Sequence, residues 1–523
     1  MNSIKQVVPP LRRADLQNGS YQNPLLYEDY SDPDVIRVGD TYYMTASSFN
    51  FMPGLPIMIS KDLVNWKLVN YAVRCLPYKD YEKPAHAKGI WAPSIRFHKN
   101  RFYIYFGMPD EGIFMTSTMD PLKEWAPPVC LKQGKGLIDT CPFWEEDGRG
   151  YLVHAYANSR AGIKSKLAIF ELNEAGDQLL GEDRIIYDGT LTQPTIEGPK
   201  VYKKNGFYYI FAPAGGVKYG WQTVLRSPSI YGPYEEKIVL QQGDTDINGP
   251  HQGGLVDTQE GEEWFLHFQQ KGAYGRIPHL QPVNWSDGWP VIGIDSNSDG
   301  IGEPVKEYRK PLEVPPDYLK EYWAAEDFSA SELSLPWQWM ANYKKEFFSL
   351  TEIPGSLVLY PVNTTNETTA LLWNSANVLT RKIDRLSFRA ETKLDISELT
   401  NGRSGIVIIG NQYAALCIEK NELETKLIYL ESEGEGESRR EIIKKEVVIN
   451  NCSSICLSQT FYPDEYCEFR YKIHEEAWSA PTKRFTPEGA VWVGVRTGIF
   501  AIADDNCGKG RVQFEYFEMT DFN

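Results

Sequence analysis

The sequence predicts an all-β protein, a five-bladed β-propeller followed by a jelly-roll-like β-sandwich, on three observations. An aromatic-rich strand signature recurs five times, convincing long helices are missing, and the composition changes near residue 303.

The five copies of the signature occupy residues 39–44, 99–104, 148–153, 205–210 and 261–266, each entered through Gly, Asn or Asp. With Tyr42, Phe102, Tyr151, Phe207 and Trp264 as markers, they are 60, 49, 56 and 57 residues apart. A period near 50, built of short strands and turns, is that of propeller blades. A second element, Ser60-Lys61-Asp62-Leu63-Val64-Asn65-Trp66, returns over 117–125 and, in the same phase, over 226–234; these read as outer strands with their turns. Pro304, Pro311, Pro315 and Pro316, mixed with charges, read as a stiff linker crossing the surface. Beyond Trp323, short alternating runs such as 355–360 and 405–410 are β-sandwich strands, and the charge-dense 419–446 reads as a solvated hairpin. The expected organisation is an N-terminal extension over 1–22, a propeller over 23–302, a Pro-rich linker over 303–322 and an accessory sandwich over 323–523.

Composition narrows the function. A chain of 523 residues exceeds one ordinary core, so two or three domains are expected. A net charge of −16 argues against a nucleic-acid partner and suits a neutral ligand. Aromatics at 13% fit both β-rich cores and sugar-stacking surfaces. No apolar run approaches the roughly 18–20 residues of a membrane span. The first twenty residues lack the apolar stretch of a signal peptide. The expectation is a cytoplasmic protein, or a periplasmic or secreted one whose leader is absent from the sequence. Eight Cys in a chain this long read as scattered small hydrophobes, and no Cys/His pair near Cys452 and Cys456 completes a zinc site.

The chemistry lies upstream of the markers. Asp32, Trp91, Asp139, Glu197 and His251 precede them by 10, 11, 12, 10 and 13 residues. In a propeller that common phase belongs to the innermost strands, so five side chains would converge on one end of the channel. A single acid beside Pro is ordinarily a turn or cap residue. Three acids and a His in register with a five-fold repeat are harder to explain that way. Carboxylates crowded into a low-dielectric pit force their pKa values apart. Glycosidic cleavage needs that separation: one protonated carboxyl for the leaving oxygen and one ionised carboxylate to activate water.

These residues resemble glycoside hydrolase family 43, of the β-xylosidase and α-L-arabinofuranosidase type with a C-terminal concanavalin-like sandwich. The resemblance runs through Ser31-Asp32-Pro33, Ser47-Ser48-Phe49, Pro53-Gly54-Leu55-Pro56-Ile57, Trp91-Ala92-Pro93, Asp139 and Thr195-Ile196-Glu197-Gly198-Pro199. Over the second half, Trp337-Gln338-Trp339 and residues 349–355, 377–381 and 492–500 resemble the sandwich. The resemblance implies Asp32 as general base, Glu197 as general acid, its pKa raised by burial and by Asp139, and Asp139 as the carboxylate that tunes and orients it. Asp34 is the rival base. The resemblance further implies that Phe49 and Trp91 stack on the terminal sugar, that Arg276 bonds its hydroxyls, and that the sandwich lends a loop to a closed, exo-acting pocket. His251 matches a channel histidine that touches a calcium or sodium ion or ordered water, or serves as a hydrogen-bonded channel residue. No cofactor is required.

The implied activity is an exo-acting, inverting hydrolase that releases xylose or arabinose from plant-type oligo- or polysaccharides. Pro250, where many β-xylosidases of the family carry Gly, and Ile277-Pro278, where they often carry Glu-Thr, leave the sugar open. The alternatives are a fructan hydrolase or glycoside phosphorylase on the same propeller, and a non-catalytic glycan-binding protein. The partner is a carbohydrate; no nucleic acid and no membrane span are expected, and a homo-oligomer stays open.

Overall fold

Strands separated by two-residue turns build the first half of the chain, and the turn chemistry explains why. Lys99-Asn100 and Asn205-Gly206 each place two consecutive residues at positive φ (47° and 60°; 50° and 81°). That geometry matches the twist of a tight hairpin. The computed structural model describes residues 14–314, 325–363, 371–474, 476–504 and 509–522.

Five four-stranded antiparallel blades follow one another. Their first strands are Asp34–Val38, Trp91–His98, Leu137–Trp144, Lys200–Lys204 and His251–Asp257. Their second strands are Thr41–Thr45, Arg101–Met108, Gly150–Tyr156, Phe207–Ala214 and Glu263–Lys271. Each marker aromatic of the repeat is the first or second residue of a second strand. The first strands of blades 5, 1, 2, 3 and 4 pack on one another in that succession around the axis, so they are the innermost, as their phase predicts. The Ser60–Trp66 element is the turn between third and fourth strands. There the Asp62 carboxylate accepts the N–H groups of Val64 and Asn65 at 3.0 and 2.7 Å.

Apolar residues fill the layers between blades. Tyr42, Met44, Val256 and Trp264 lie between blades 1 and 5; Ile57, Ile95, Ile104 and Phe106 lie between 1 and 2. Each blade is one continuous stretch of chain, so side chains and the two ends of the propeller segment close the ring. Ser20–Gln22 pairs with Glu307–Arg309, and Tyr21 buries its ring edge-on against Trp264. Buried Lys310 bonds Asp15 at 2.8 Å and lies 3.6 Å from Asp62. The described part of the linker, 303–314, is therefore packed onto blades 1 and 5 rather than free. Residues 1–13 of the expected extension and 315–322 of the expected linker lie outside the described residues.

The second half forms a seven-stranded and an eight-stranded sheet. The charge-dense hairpin of the sequence is the strand pair Thr425–Glu433 and Arg440–Val448. Core and backbone pairing both cross between the halves. Met52 and Trp339 exchange backbone bonds of 2.9 and 2.7 Å, and Ala273, Tyr274 and Ile277 belong to the same apolar cluster as the sandwich core. Among the described residues no helix is long and apolar enough to cross a membrane, and the seven cysteines that lie among them are free thiols.

Candidate active site

At one mouth of the channel every blade contributes a residue with left-handed backbone: Asp32 (φ 54°), Ala92 (25°), Asp139 (58°), Gly198 (60°) and Gln252 (41°). Four of these are not glycine, and that conformation costs roughly 1 kcal/mol or more each. Register shifts accompany it at Trp91/Ser94, Ile138/Cys141 and His251/Gly253. Such irregularities re-aim side chains out of the strict in–out alternation of a strand. Gly198 is required: a Cβ there would lie 2.5 Å from the Gln252 side chain.

The seven residues that the sequence nominated all come to this mouth, linked blade to blade. Asp32 Oδ2 accepts from Ser31 Oγ at 2.7 Å and Ser47 Oγ at 2.6 Å, and Oδ1 accepts from Arg276 Nη1 at 3.1 Å. Ser47 Oγ also accepts the Ala92 N–H at 2.7 Å, tying the base of blade 1 to the Trp91 segment of blade 2. Asp139 Oδ2 accepts the Gly198 N–H at 2.9 Å, which seats it beside Glu197. Buried Lys200 reaches back to Pro93 O and Ser94 Oγ at 2.9 and 2.6 Å. His251 Nε2 lies 3.0 Å from Glu197 Oε1.

Asp34 is committed elsewhere. It is fully buried, pairs with Arg96 at 2.6 Å and accepts the Ile95 N–H at 2.8 Å. It locks the inner strands of blades 1 and 2 together, which leaves Asp32 as the carboxylate facing the site.

Burial first, then the charges of Glu197 and Asp32, push the Asp139 carboxyl up to about 8. Asp139 lies deep, only 4% exposed, whereas the Glu197 side chain keeps 35% of its surface.

Phe49 and Trp91 form an aromatic wall together with Trp492, which sequence reasoning quoted only as part of a sandwich motif. Trp492 stacks on Phe49 at 6.2 Å and meets Trp91 edge-on at 4.4 Å. The loop carrying it is pinned to the propeller by Asp29. Its Oδ2 accepts the Gly494 N–H at 2.9 Å, and its Oδ1 accepts the Arg276 N–H at 2.8 Å. Arg160, on the short helix Asn158–Ala161, lies 5.4 Å over the Trp91 ring and pairs with Asp110 at 3.3 Å. No local pattern marks Asp29 or Arg160; their roles arise from elements brought together by the fold. Ser31 and Ser47 stand within the quoted motifs but were given no role there, because serine beside a turn reads equally as turn chemistry.

Buried polar atoms without a protein partner gather at the same mouth: Trp91 Nε1, Thr140 Oγ1, His251 Nδ1, Gln252 Nε2 and Arg276 Nε. Buried polar groups are ordinarily paired, so this concentration suits a polyhydroxylated ligand. A channel cation is less well served. Among the described residues no three His, Cys, Asp or Glu side chains are arranged to hold a metal ion, and His251 directs Nε2 at Glu197. Calcium takes six to eight oxygen ligands, and the side chains here build no such set.

A propeller with three acids, an arginine and an aromatic wall at one mouth defines a carbohydrate-cleaving enzyme. The sequence profile of "Glycosyl hydrolases family 43" matches residues 21–290, and that of "Beta xylosidase C-terminal Concanavalin A-like domain" matches 325–520. A putative beta-xylosidase of Xylanibacter ruminicola is 37% identical over 93% of this chain and 87% of its own. A non-reducing end alpha-L-arabinofuranosidase of Bacteroides ovatus is 26% identical over 96% of this chain and 96% of its own. The crystal structure of a xylan beta-1,4-xylosidase from Bacillus halodurans superposes with a TM-score of 0.84 at 26% identity, covering 96% of this chain and all of that one. The chain belongs to glycoside hydrolase family 43, and it is a glycosidase.

Proposed function

We propose that the protein is an exo-acting, inverting glycosidase that removes xylose or arabinose units from the ends or side branches of plant-type oligo- and polysaccharides. The observation that carries this reading is the unequal setting of the three acids. Asp32 is met by two hydroxyls and a guanidinium, which suits a carboxylate that takes a proton from water. Asp139, buried beside the charges of Glu197 and Asp32, is pushed up to about 8, which favours its protonated form. Glu197 is the accessible one, steadied by His251, and delivers the proton to the leaving oxygen. Asp139, held by the Gly198 N–H, sits beside Glu197 and orients the segment that carries it.

In the single displacement, water held by Asp32 attacks the anomeric carbon while Glu197 protonates the departing oxygen from the opposite side. No covalent sugar–enzyme species forms. Arg276 bonds the sugar hydroxyls, and Phe49, Trp91 and Trp492 wall the ring. Trp492 comes from the second domain and closes the pocket laterally, which favours chain ends over mid-chain segments. The printed names of the relatives support xylose and arabinose as the sugars.

Matched 4-nitrophenyl β-D-xyloside and α-L-arabinofuranoside test the reading. Turnover of at least one is expected, with proton NMR showing a first-formed sugar of inverted anomeric configuration. Inertness toward both, or a retained configuration, overturns it; retention would favour fructan-type chemistry on the same propeller.

A further inference from the structure

Strand direction fixes which loops surround the pocket. In blade 4 the inner strand starts at Glu197's end and runs to Lys204; the second strand returns from Phe207 to Ala214. The loop 215–220 therefore lies at the pocket mouth. It is pinned on both flanks. The Glu197 N–H donates to Pro213 O at 3.1 Å, and the Gly215 N–H donates to Pro194 O at 2.8 Å. On the other flank Asn248 Nδ2 donates to Lys218 O at 3.2 Å, and a Cβ on Gly249 would lie 2.2 Å from Val217 O. Gly220 N–H to Gly216 O at 2.8 Å closes the loop on itself.

This rigid loop lies between the segment that carries Glu197 and the segment that leads to His251. It nonetheless presents Tyr219 to solvent at 73% exposure. The ring is not part of any apolar cluster; its described ring contact is Lys218 Nζ, 5.0 Å from the centroid. The neighbouring loop 189–195 is tied to the same blade through Gln193, whose Oε1 accepts from Trp221 Nε1 at 2.8 Å. That loop exposes Leu191 at 95%. Scattered surface apolar groups need no explanation. Two large ones, on braced loops that flank the catalytic acid, do.

The acid protonates the leaving oxygen, so the leaving sugar must lie on Glu197's side of the pocket. We propose that loop 215–220 is the leaving-group wall of the site and that Tyr219 is the platform on which the departing sugar ring stacks. A tyrosine suits this place: its ring offers a flat apolar face to the axial C–H groups of a pyranose, and its hydroxyl remains in water. The loop is already braced, so little ordering is required on binding. This assignment rests on the proposed roles of Asp32 and Glu197 and deepens them by naming the residue that reads the leaving group.

The test compares two substrates that share a glycosyl unit and differ in whether the leaving group has a ring. For a xylose-releasing enzyme these are xylobiose and β-D-xylosyl fluoride; for an arabinose-releasing one, α-L-arabinofuranosyl-xylobiose and α-L-arabinofuranosyl fluoride. Tyr219→Ala should lower kcat/KM on the oligosaccharide about three- to tenfold, mostly through KM, and leave the fluoride unchanged. Tyr219→Trp should restore the oligosaccharide rate. Equal losses on both substrates, or none on either, would overturn the platform. A wild-type protein inert toward all four substrates would instead overturn the glycosidase reading beneath it.

Discussion

Asp32 accepts three hydrogen bonds from groups contributed by two blades, and its backbone is held left-handed to do so. Asp32→Asn keeps the shape but removes the base. Turnover should fall by about 10²–10⁴-fold with unchanged thermal stability, and steady-state kinetics beside a melting curve checks this. Glu197→Gln should separate substrates by leaving group. An aryl oxygen of low pKa departs almost unaided, whereas a sugar alkoxide needs a full proton, so activity on oligosaccharides should collapse while aryl glycosides lose far less. Equal losses would show that Glu197 is not the acid. Asp139 gives a prediction of a different kind. Burial and the charges of Glu197 and Asp32 push its carboxyl up to about 8 from the ordinary 3.8, so the native state binds a proton that the unfolded chain releases. The associated stability is fully present below about pH 4 and is lost as pH rises through about 8. Asp139→Asn removes that dependence. Its melting temperature relative to wild type should climb from pH 4 to 8, reaching a gain of roughly 2–4 °C, even as activity is lost. A difference that is flat across this range would contradict the assignment.

At the level of strands, much was legible because the repeat carries its own phase. The five aromatic markers fall at the same place in five second strands, and the residues upstream of them fall at the same mouth. Glu197 and Asp139 could be paired from sequence only through that phase. What sequence could not show is contact between elements far apart in the chain. Asp29 receives N–H groups from Arg276 and Gly494, and Trp492 packs on Phe49 and Trp91. Nothing local distinguishes Asp29 from a turn acid. The burial of Asp139 relative to Glu197 was equally hidden, since it depends on how deep each inner strand sets its side chain. The loop holding Trp492 supplies the corresponding test. Trp492→Ala should leave the fold intact and reduce kcat/KM on small aryl glycosides about tenfold, because a sugar-facing ring and its support of Phe49 and Trp91 go together. Unchanged kinetics would place the ring outside the pocket.

The two halves of the molecule behave as one body in the chemistry of their interface. Tyr30 and Asp29 of the propeller face Lys382 and Arg496 of the sandwich. Lys382 Nζ sits 3.5 Å over the Tyr30 ring, and burial pushes the lysine down to about 7. Burial also raises Asp29 and lowers Arg496, so these groups are mutual partners in a place that water does not reach. Arg496 covers the Phe51 ring at 4.1 Å, and Met340 and Val493 share an apolar cluster with Phe49 and Trp91. Removing one side would leave buried charges without counterparts and expose a continuous apolar face, two of the costlier changes a protein can undergo. A chain ending at residue 322 retains every proposed catalytic residue, yet it should be insoluble or nearly inactive on 4-nitrophenyl glycosides. Were the sandwich an independent sugar-binding module on a tether, the shortened chain would keep full turnover of small substrates and lose only affinity for polymer. A soluble 1–322 fragment with undiminished activity would therefore show that Trp492 and Asp29 do not couple the domains, and the case for a pocket closed by the sandwich, and for exo-action with it, would fall.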